Sequence, residues 1–178
     1  MPQSELKWFH VVLGFYGSWL PGDPRGFRTR HHREHVEGDY KSPPPTGIYE
    51  ERLRRAQSNL KIPPRILSFA QRRIVGECLR DSLIRCGSRV ACLAVGGQHV
   101  HLLVELPPTE TWNWLGIAKR DAWFALRNTG DPRKLWGKHG RCFSITDRSH
   151  QENAYRYIVR HEVQGAWVWR YSEGLREA

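Results

Sequence analysis

The sequence predicts an α+β fold in which an antiparallel sheet carries helices on one face. Three observations predict it: short segments with period-two hydrophobicity, long segments with helical periodicity between them, and a Gly-Gly pair placed to join two strands as a hairpin. At 178 residues, 39% of them hydrophobic and eight of them tryptophan, the chain is long enough for one complete domain with a real core and short for two. The expected organisation is one domain over residues 1–178, with a long polar loop at about 21–48.

In "KWFHVVLGFY" (7–16), Phe9, Val11, Leu13 and Phe15 alternate with His10, Val12, Gly14 and Tyr16, the pattern of a strand with one buried face. "GSWLPGDPRG" is dense in turn residues, and Asp23 within it reads as a turn residue rather than a catalyst. The polar segment that follows contains three consecutive prolines, and loops of this length are usually functional or mobile. "YEERLRRAQSN" can form a short helix. From Pro64 to Cys86 a stripe of Leu67, Ala70, Ile74, Cys78, Leu79, Leu83 and Cys86 predicts a long helix, with Gly87 as its terminating glycine. "RVACLAV" is a strand, Gly96-Gly97 the turn, and "HVHLLVEL" the antiparallel partner, stopped by Pro107-Pro108. Leu115, Ala118, Ala122 and Leu126 mark a second long helix. "GDPRKLWGKHG" reads as a loop and "RCFSITD" as a fourth strand. Ser149-x-x-Glu152 reads as a capping box opening a last helix towards Glu162. No repeats occur. The order matches the split β-α-β, ferredoxin-like (RRM-like) arrangement with an extra C-terminal helix that bears tyrosines.

The net charge of +10 and pI near 9.9 point to a polyanionic partner, nucleic acid first and a membrane surface second. Residues 61–98 concentrate that charge, with seven Lys/Arg against Glu77 and Asp81. A basic helix thus precedes the histidine strand, where Arg72, Arg73 and Arg80 could line a phosphate backbone or form a solvated face. No apolar run approaches the ~20 residues of a spanning helix, and "MPQSELKWFH" lacks a signal-peptide pattern, so cytoplasmic residence without membrane contact is expected. Cys78, Cys86, Cys92 and Cys142 show neither C-x-x-C pairing nor zinc-knuckle spacing and read as small core residues.

His99 and His101 share one strand face, while Val100, Leu102 and Val104 take the other. The second set reads as core, so the histidines are expected on the face the helices leave open, as metal ligands or as ordinary half-exposed residues. In the last helix, Ala154, Tyr155, Ile158 and Val159 form an apolar arc that assigns Tyr155 to the core. Tyr157 and His161, four apart, stack at its flank. His31, His32 and His35 in "HHREH" are interrupted by Arg33 and read as a DNA-contacting loop rather than a metal site. Trp112, Trp114 and Trp123 could stack bases, although a helix packed on a sheet buries most such residues.

"HVHLLVEL" resembles the His-hydrophobic-His strand of the HUH endonucleases with a single catalytic tyrosine. "YRYIVRHEVQGA" is similar to that family's tyrosine helix and following turn, and within the family the insertion-sequence and REP-associated tyrosine transposases are the nearest in pattern. The resemblance spans roughly residues 7–170 in element order. It implies that His99 and His101 ligate a divalent metal, Mg²⁺ or Mn²⁺, and that Tyr157 is the nucleophile. It places the third ligand four residues after the tyrosine, at His161, where the family commonly has Gln or Asn. Single-stranded or hairpin DNA is the implied substrate, with Arg72, Arg73, Arg80 and Arg160 as DNA-contacting residues. The implied activity is transposition through a 5′-phosphotyrosine link. Two alternatives stay open: a domesticated nickase acting on repetitive REP-type hairpins, and a non-catalytic RRM-like nucleic-acid-binding protein. The second is disfavoured because "ACLAVGG" lacks aromatics. Relatives act as homodimers or monomers, and both arrangements are open for this chain.

Overall fold

The computed structural model describes residues 5–23, 45 and 47–171. The HHREH histidines, and nearly all of the polar loop, lie outside the described residues. Strands β1 (Lys7–Phe15), β2 (Val90–Val95), β3 (His99–Leu106), β4 (Trp136–Ser144) and β5 (Trp167–Arg170) form one antiparallel sheet in the order β4-β1-β3-β2-β5. The first four strands have the ferredoxin-like order, with α2 (Phe69–Arg85) between β1 and β2 and α3 (Thr111–Arg127) between β3 and β4. α1 (Glu50–Ser58) is the short helix expected from its sequence, and α4 (Arg148–Val159) runs into a 3₁₀ turn at Arg160–Gln164.

The two sheet faces divide as the alternation requires. Val11, Leu13, Phe15, Val100, Leu102 and Val104 pack with Val75, Leu79 and Leu83 of α2 and Leu115, Ala118, Ala122 and Leu126 of α3, all fully buried. Each such Leu or Val contributes roughly 1.5–3 kcal/mol through apolar burial. On the opposite face Cys92, Ala94 and Leu103 pack against Ala154 and Ile158 of α4. That face is therefore not open throughout, as expected from the apolar alternate set alone. Among the described residues α4 lies over β2 and β3, with Trp8 of β1 at its margin, and leaves most of the β1–β4 half uncovered.

Several boundaries differ from the sequence pattern for local reasons. α2 begins at Phe69 because Ser68 accepts from the Gln71 N–H and the Gln71 side chain accepts from the Ser68 N–H, a reciprocal capping box. Residues before it instead join the sheet rim, Arg65 N–H donating to Tyr16 O and Leu67 N–H to Gly97 O. α2 ends in a Schellman motif, with Gly87 at φ 96°, Gly87 N–H on Ile84 O and Ser88 N–H on Leu83 O. α4 is capped by Asp147, two residues before Ser149, whose carboxylate accepts from the His150 N–H, so Ser149 already lies inside the helix. β4 starts at Trp136, inside the segment read as a loop, because "WGKHG" continues the pairing with β1 through an irregularity near Leu13 and Phe15. β5 has no counterpart among the expected strands. It adds four residues to the β2 edge, and its Trp167 indole lies where a Cβ on Gly76 would sit, 2.2 Å away, so α2 approaches β5 only through that glycine. All four cysteines are free thiols, and burial pushes Cys92 up to about 12. No helix among the described residues is long and apolar enough to cross a membrane.

Candidate metal centre and nucleic-acid interface

His99 and His101 project from β3 onto the α4 face, as strand periodicity dictates. His161 reaches them from the 3₁₀ turn after α4, and one ligand nitrogen from each of the three lies within 4.8 Å of the others. Nitrogens on one first-row ion sit about 2.0–2.2 Å from it, hence up to about 4.4 Å from each other. A small side-chain closure would let all three reach one ion. The cluster could therefore hold a metal.

The hydrogen bonds around the cluster fix which nitrogens face it. His161 Nδ1 lies 3.0 Å from Tyr157 O and 3.2 Å from Ile158 O. Carbonyls only accept, so Nδ1 carries the proton and the lone pair is on Nε2. His101 Nδ1 lies 3.0 Å from His10 Nε2. With His101 ligating through Nε2, its Nδ1–H donates to His10, which occupies the place usually taken by a carboxylate or carbonyl. Burial, followed by the neighbouring His99, His161 and His10, pushes His101 down to about 2. Burial, then His161 and His150, pushes His10 down to about 4. Both imidazoles are neutral at pH 7, the form that binds a cation.

Tyr157 closes the site from α4. Its ring centroid lies 4.9 Å from that of His161, 5.4 Å from His101 and 5.8 Å from His10. Tyr155, one residue off the sheet-facing row, is half-buried: it packs against the cluster of Leu103, Ala154 and Ile158 and also lines a separate cavity. Beside Tyr157 the uncovered half of the sheet presents His10 and Val12 of β1 with Phe143 and Arg141 of β4 as their cross-strand partners. Phe143 is 47% exposed and 5.9 Å from His10, and Arg141 is exposed. Trp19, at φ 51° in the turn after β1, packs its ring 5.1 Å from His99. A left-handed backbone is uncommon for a bulky residue and clusters at functional sites.

The candidate arginines are divided by the sheet. Arg72, Arg73 and Arg80 belong to α2, on the face opposite the histidines. Arg72 donates from Nε to Leu67 O at 3.0 Å and from Nη1 to Gly165 O at 2.6 Å, which braces the turn that carries His161. Arg73 pairs with Glu77, and Arg80 pairs with Asp81 and lies over Trp169. Only Arg160, exposed and adjacent to His161, stands on the histidine side. Trp114 and Trp123 pack on the core, whereas Trp112 is 53% exposed. Asp23 is buried in a turn, its N–H donating to Leu20 O.

Sequence reasoning missed His10, Arg141, Phe143 and Trp19. His10 was legible as a polar residue alternating with an apolar strand face. The other three depend on strand register and on a turn conformation.

No protein-family model and no curated protein matches the chain. Solved structures similar in arrangement include the following two. A protein from Deinococcus radiodurans R1 described as a candidate transposase is 13% identical over 91% of this chain and 95% of its own, with a TM-score of 0.46. A REP-associated tyrosine transposase, solved bound to a REP hairpin, is 10% identical over 89% of this chain and 68% of its own, with a TM-score of 0.45. The likeness is one of chain path, and the chemistry of the site rests on its own residues.

Proposed function

We propose that this chain is a metal-dependent single-stranded DNA endonuclease and strand transferase, a transposase whose nucleophile is Tyr157 and whose substrate sites lie beside DNA hairpins. One observation carries the reading. A phenol from α4 and three imidazoles from β3 and the following 3₁₀ turn meet at one point on a strongly basic protein. His99, His101 and His161 would hold Mg²⁺ or Mn²⁺, which polarises the scissile phosphate and stabilises charge on its oxygens.

The chain's own residues supply the rest. Tyr157 Oη attacks the phosphorus, a P–O(Tyr) bond forms, and the P–O3′ bond breaks. The phenol releases its proton as the bond forms, the 3′ oxygen takes one up and leaves as a hydroxyl, and the 5′-phosphate stays on the tyrosine. Phenol, with a pKa near ~10, is a poor nucleophile at pH 7, so its placement against the cluster matters. The covalent link conserves the bond energy, and attack by a new 3′-OH reverses the step without a nucleotide cofactor. The strand runs from the β1–β4 half, where Phe143 offers a stacking surface and Arg141 meets phosphate, past the histidines, where Trp19 stands beside His99 and Arg160 beside His161.

Incubation with hairpin-bearing single-stranded DNA and Mn²⁺ should leave a covalent protein–DNA adduct. Tyr157→Phe should lose it and Tyr155→Phe keep it; an adduct that survives Tyr157→Phe overturns the assignment. Binding should favour hairpin or single-stranded DNA over blunt duplex at one fixed salt concentration and weaken steeply as salt rises. His161 separates itself from an amide ligand by its proton. Wild-type cleavage at limiting metal should fall more steeply from pH 7 to 5 than that of His161→Asn or His161→Gln, and added metal should shift the wild-type limb to lower pH. A shared profile for all three proteins would remove His161 from the ligand set.

A further inference from the structure

A second cavity, of about 680 Å³, opens on the α4 face at the end of the helix away from the histidines. That volume falls within the roughly 300–1,000 Å³ of small-molecule sites. Trp8, Tyr155 and Tyr171 supply aromatic surface, and Leu103 and Ala91 of the sheet form an apolar floor. Leu103 lies two residues beyond His101 on the same face of β3, about 7 Å along the strand. At the mouth stand Arg89, Arg148 and Arg156, with Glu152 the one acidic lining residue. Glu152 is shared by Arg148 at 2.8 Å and Arg156 at 3.9 Å, and Arg89 pairs with Glu105 while lying over the Trp8 ring. Ser88 also lines the cavity, is 5% exposed, and its Oγ has no hydrogen-bond partner among the described residues.

These features select the occupant. A hydrocarbon or apolar side chain would fill the aromatic part but leave the Ser88 hydroxyl unpaired and the cationic mouth unused. A nucleotide meets all three: a π face for the aromatics, a polar base edge for the hydroxyl, and a phosphate for the arginines. We propose that this cavity is a nucleotide pocket that takes one unstacked nucleobase of the bound strand, its phosphate at the arginine mouth. The assignment rests on the DNA reading above and adds a contact point distant from the reacting phosphate.

The test uses the full chain with ¹⁵N-labelled tryptophan, a chelator to keep the histidines metal-free, and the four 5′-deoxynucleoside monophosphates as probes. The Trp8 indole resonance, assigned through Trp8→Phe, should shift saturably with affinities near the millimolar range. Deoxyribose 5-phosphate and inorganic phosphate should not reproduce the shift. Tyr155→Ala should weaken nucleotide binding by about fivefold or more, Tyr155→Phe should preserve it, and His99→Ala should leave it unchanged. If Tyr155→Ala does not fold, exposed Arg156→Gln serves instead, weakening monophosphates but not the corresponding deoxynucleosides. A Trp8 resonance that ignores all four nucleotides, as a cavity built for another protein's apolar side chains would give, overturns the proposal. So does one that moves equally with deoxyribose 5-phosphate. Failure of the DNA reading shows separately, as the absence of single-stranded DNA binding and of the Tyr157 adduct.

Discussion

Two of the polar clusters among the described residues are built on opposite electrostatic plans. Between the segment entering α2 and the loop leaving α3, Arg65 is 2% exposed and gives Asp131 two hydrogen bonds, at 3.0 and 2.6 Å. Gln71 and Arg133 donate to the same carboxylate. Hydrogen bonds from Arg133 and then Arg65 hold Asp131 well below the usual carboxylate range. Across the sheet, His101 is 6% exposed among His99, His161 and His10, and burial and each of these neighbours act against its protonation. The first cluster is satisfied by opposite charge. The second gathers groups of one kind, whose neighbours disfavour the cationic form of His101 and His10, and a shared metal cation would resolve that conflict. Burial of polar groups marks both clusters, and the sign of their neighbours distinguishes a structural tie from a candidate ligand set.

Breaking the tie should have the largest effect. Asp131→Asn leaves a buried guanidinium without its counter-charge and should cost about 3–5 kcal/mol of stability in denaturant unfolding, with metal affinity unchanged for whatever fraction stays folded. A substitution of the second cluster should do the reverse. His101→Ala should lower metal affinity by roughly 100-fold or more in calorimetric titration, since even an outer-shell partner is worth 10–100-fold, while the metal-free melting temperature changes little.

The two clusters should also separate along the pH axis. His10 and His101 have folded pKa values of about 4 and about 2, below the ordinary 6.5. The unfolded chain therefore binds more protons as pH falls below about 6.5, and the metal-free protein loses stability from there downwards. Asp131 is also depressed, so its contribution is present above the ordinary carboxylate pKa, near ~3.9, and lost only below it. Melting temperature against pH should thus decline in two stages, with bound metal postponing the first. A curve flat from pH 7 to 5 without metal would remove the contrast between the clusters. The smallest effect belongs to His10. His10→Phe should weaken metal binding by about tenfold, and His10→Gln, which keeps an acceptor for the His101 N–H, should recover most of it.

Local patterns made the first four strands, the four helices and the hairpin readable, because each follows from residues close together in the chain. β5 was not readable. Four residues of "WVWR" carry little periodicity, and their strand state depends on the β2 edge and on Gly76. The open-face expectation was half met, since "HVHLLVEL" reports which side chains share a face but not what covers it. The meeting of His161 with His99 and His101 was expected only through the resemblance of the last helix to a tyrosine helix; the four-residue spacing by itself put His161 beside Tyr157 and no further. The residues across from them on β1 and β4 needed register, which no single segment contains.

Arg72 joins the two halves of the molecule in a way its charge did not suggest. One planar guanidinium holds the Leu67 carbonyl on one side and the Gly165 carbonyl on the other, and its Nη2 lies 3.4 Å from where a Cβ on Gly97 would be. It works as a rivet through the rim of the sheet, fastening the approach to α2 to the turn behind His161. A lysine in its place would carry the same charge with a single point of attachment and could not fasten both. The third imidazole would then swing on its turn independently of the two on β3, and a coordination shell would have to be assembled anew with each ion instead of standing ready for it.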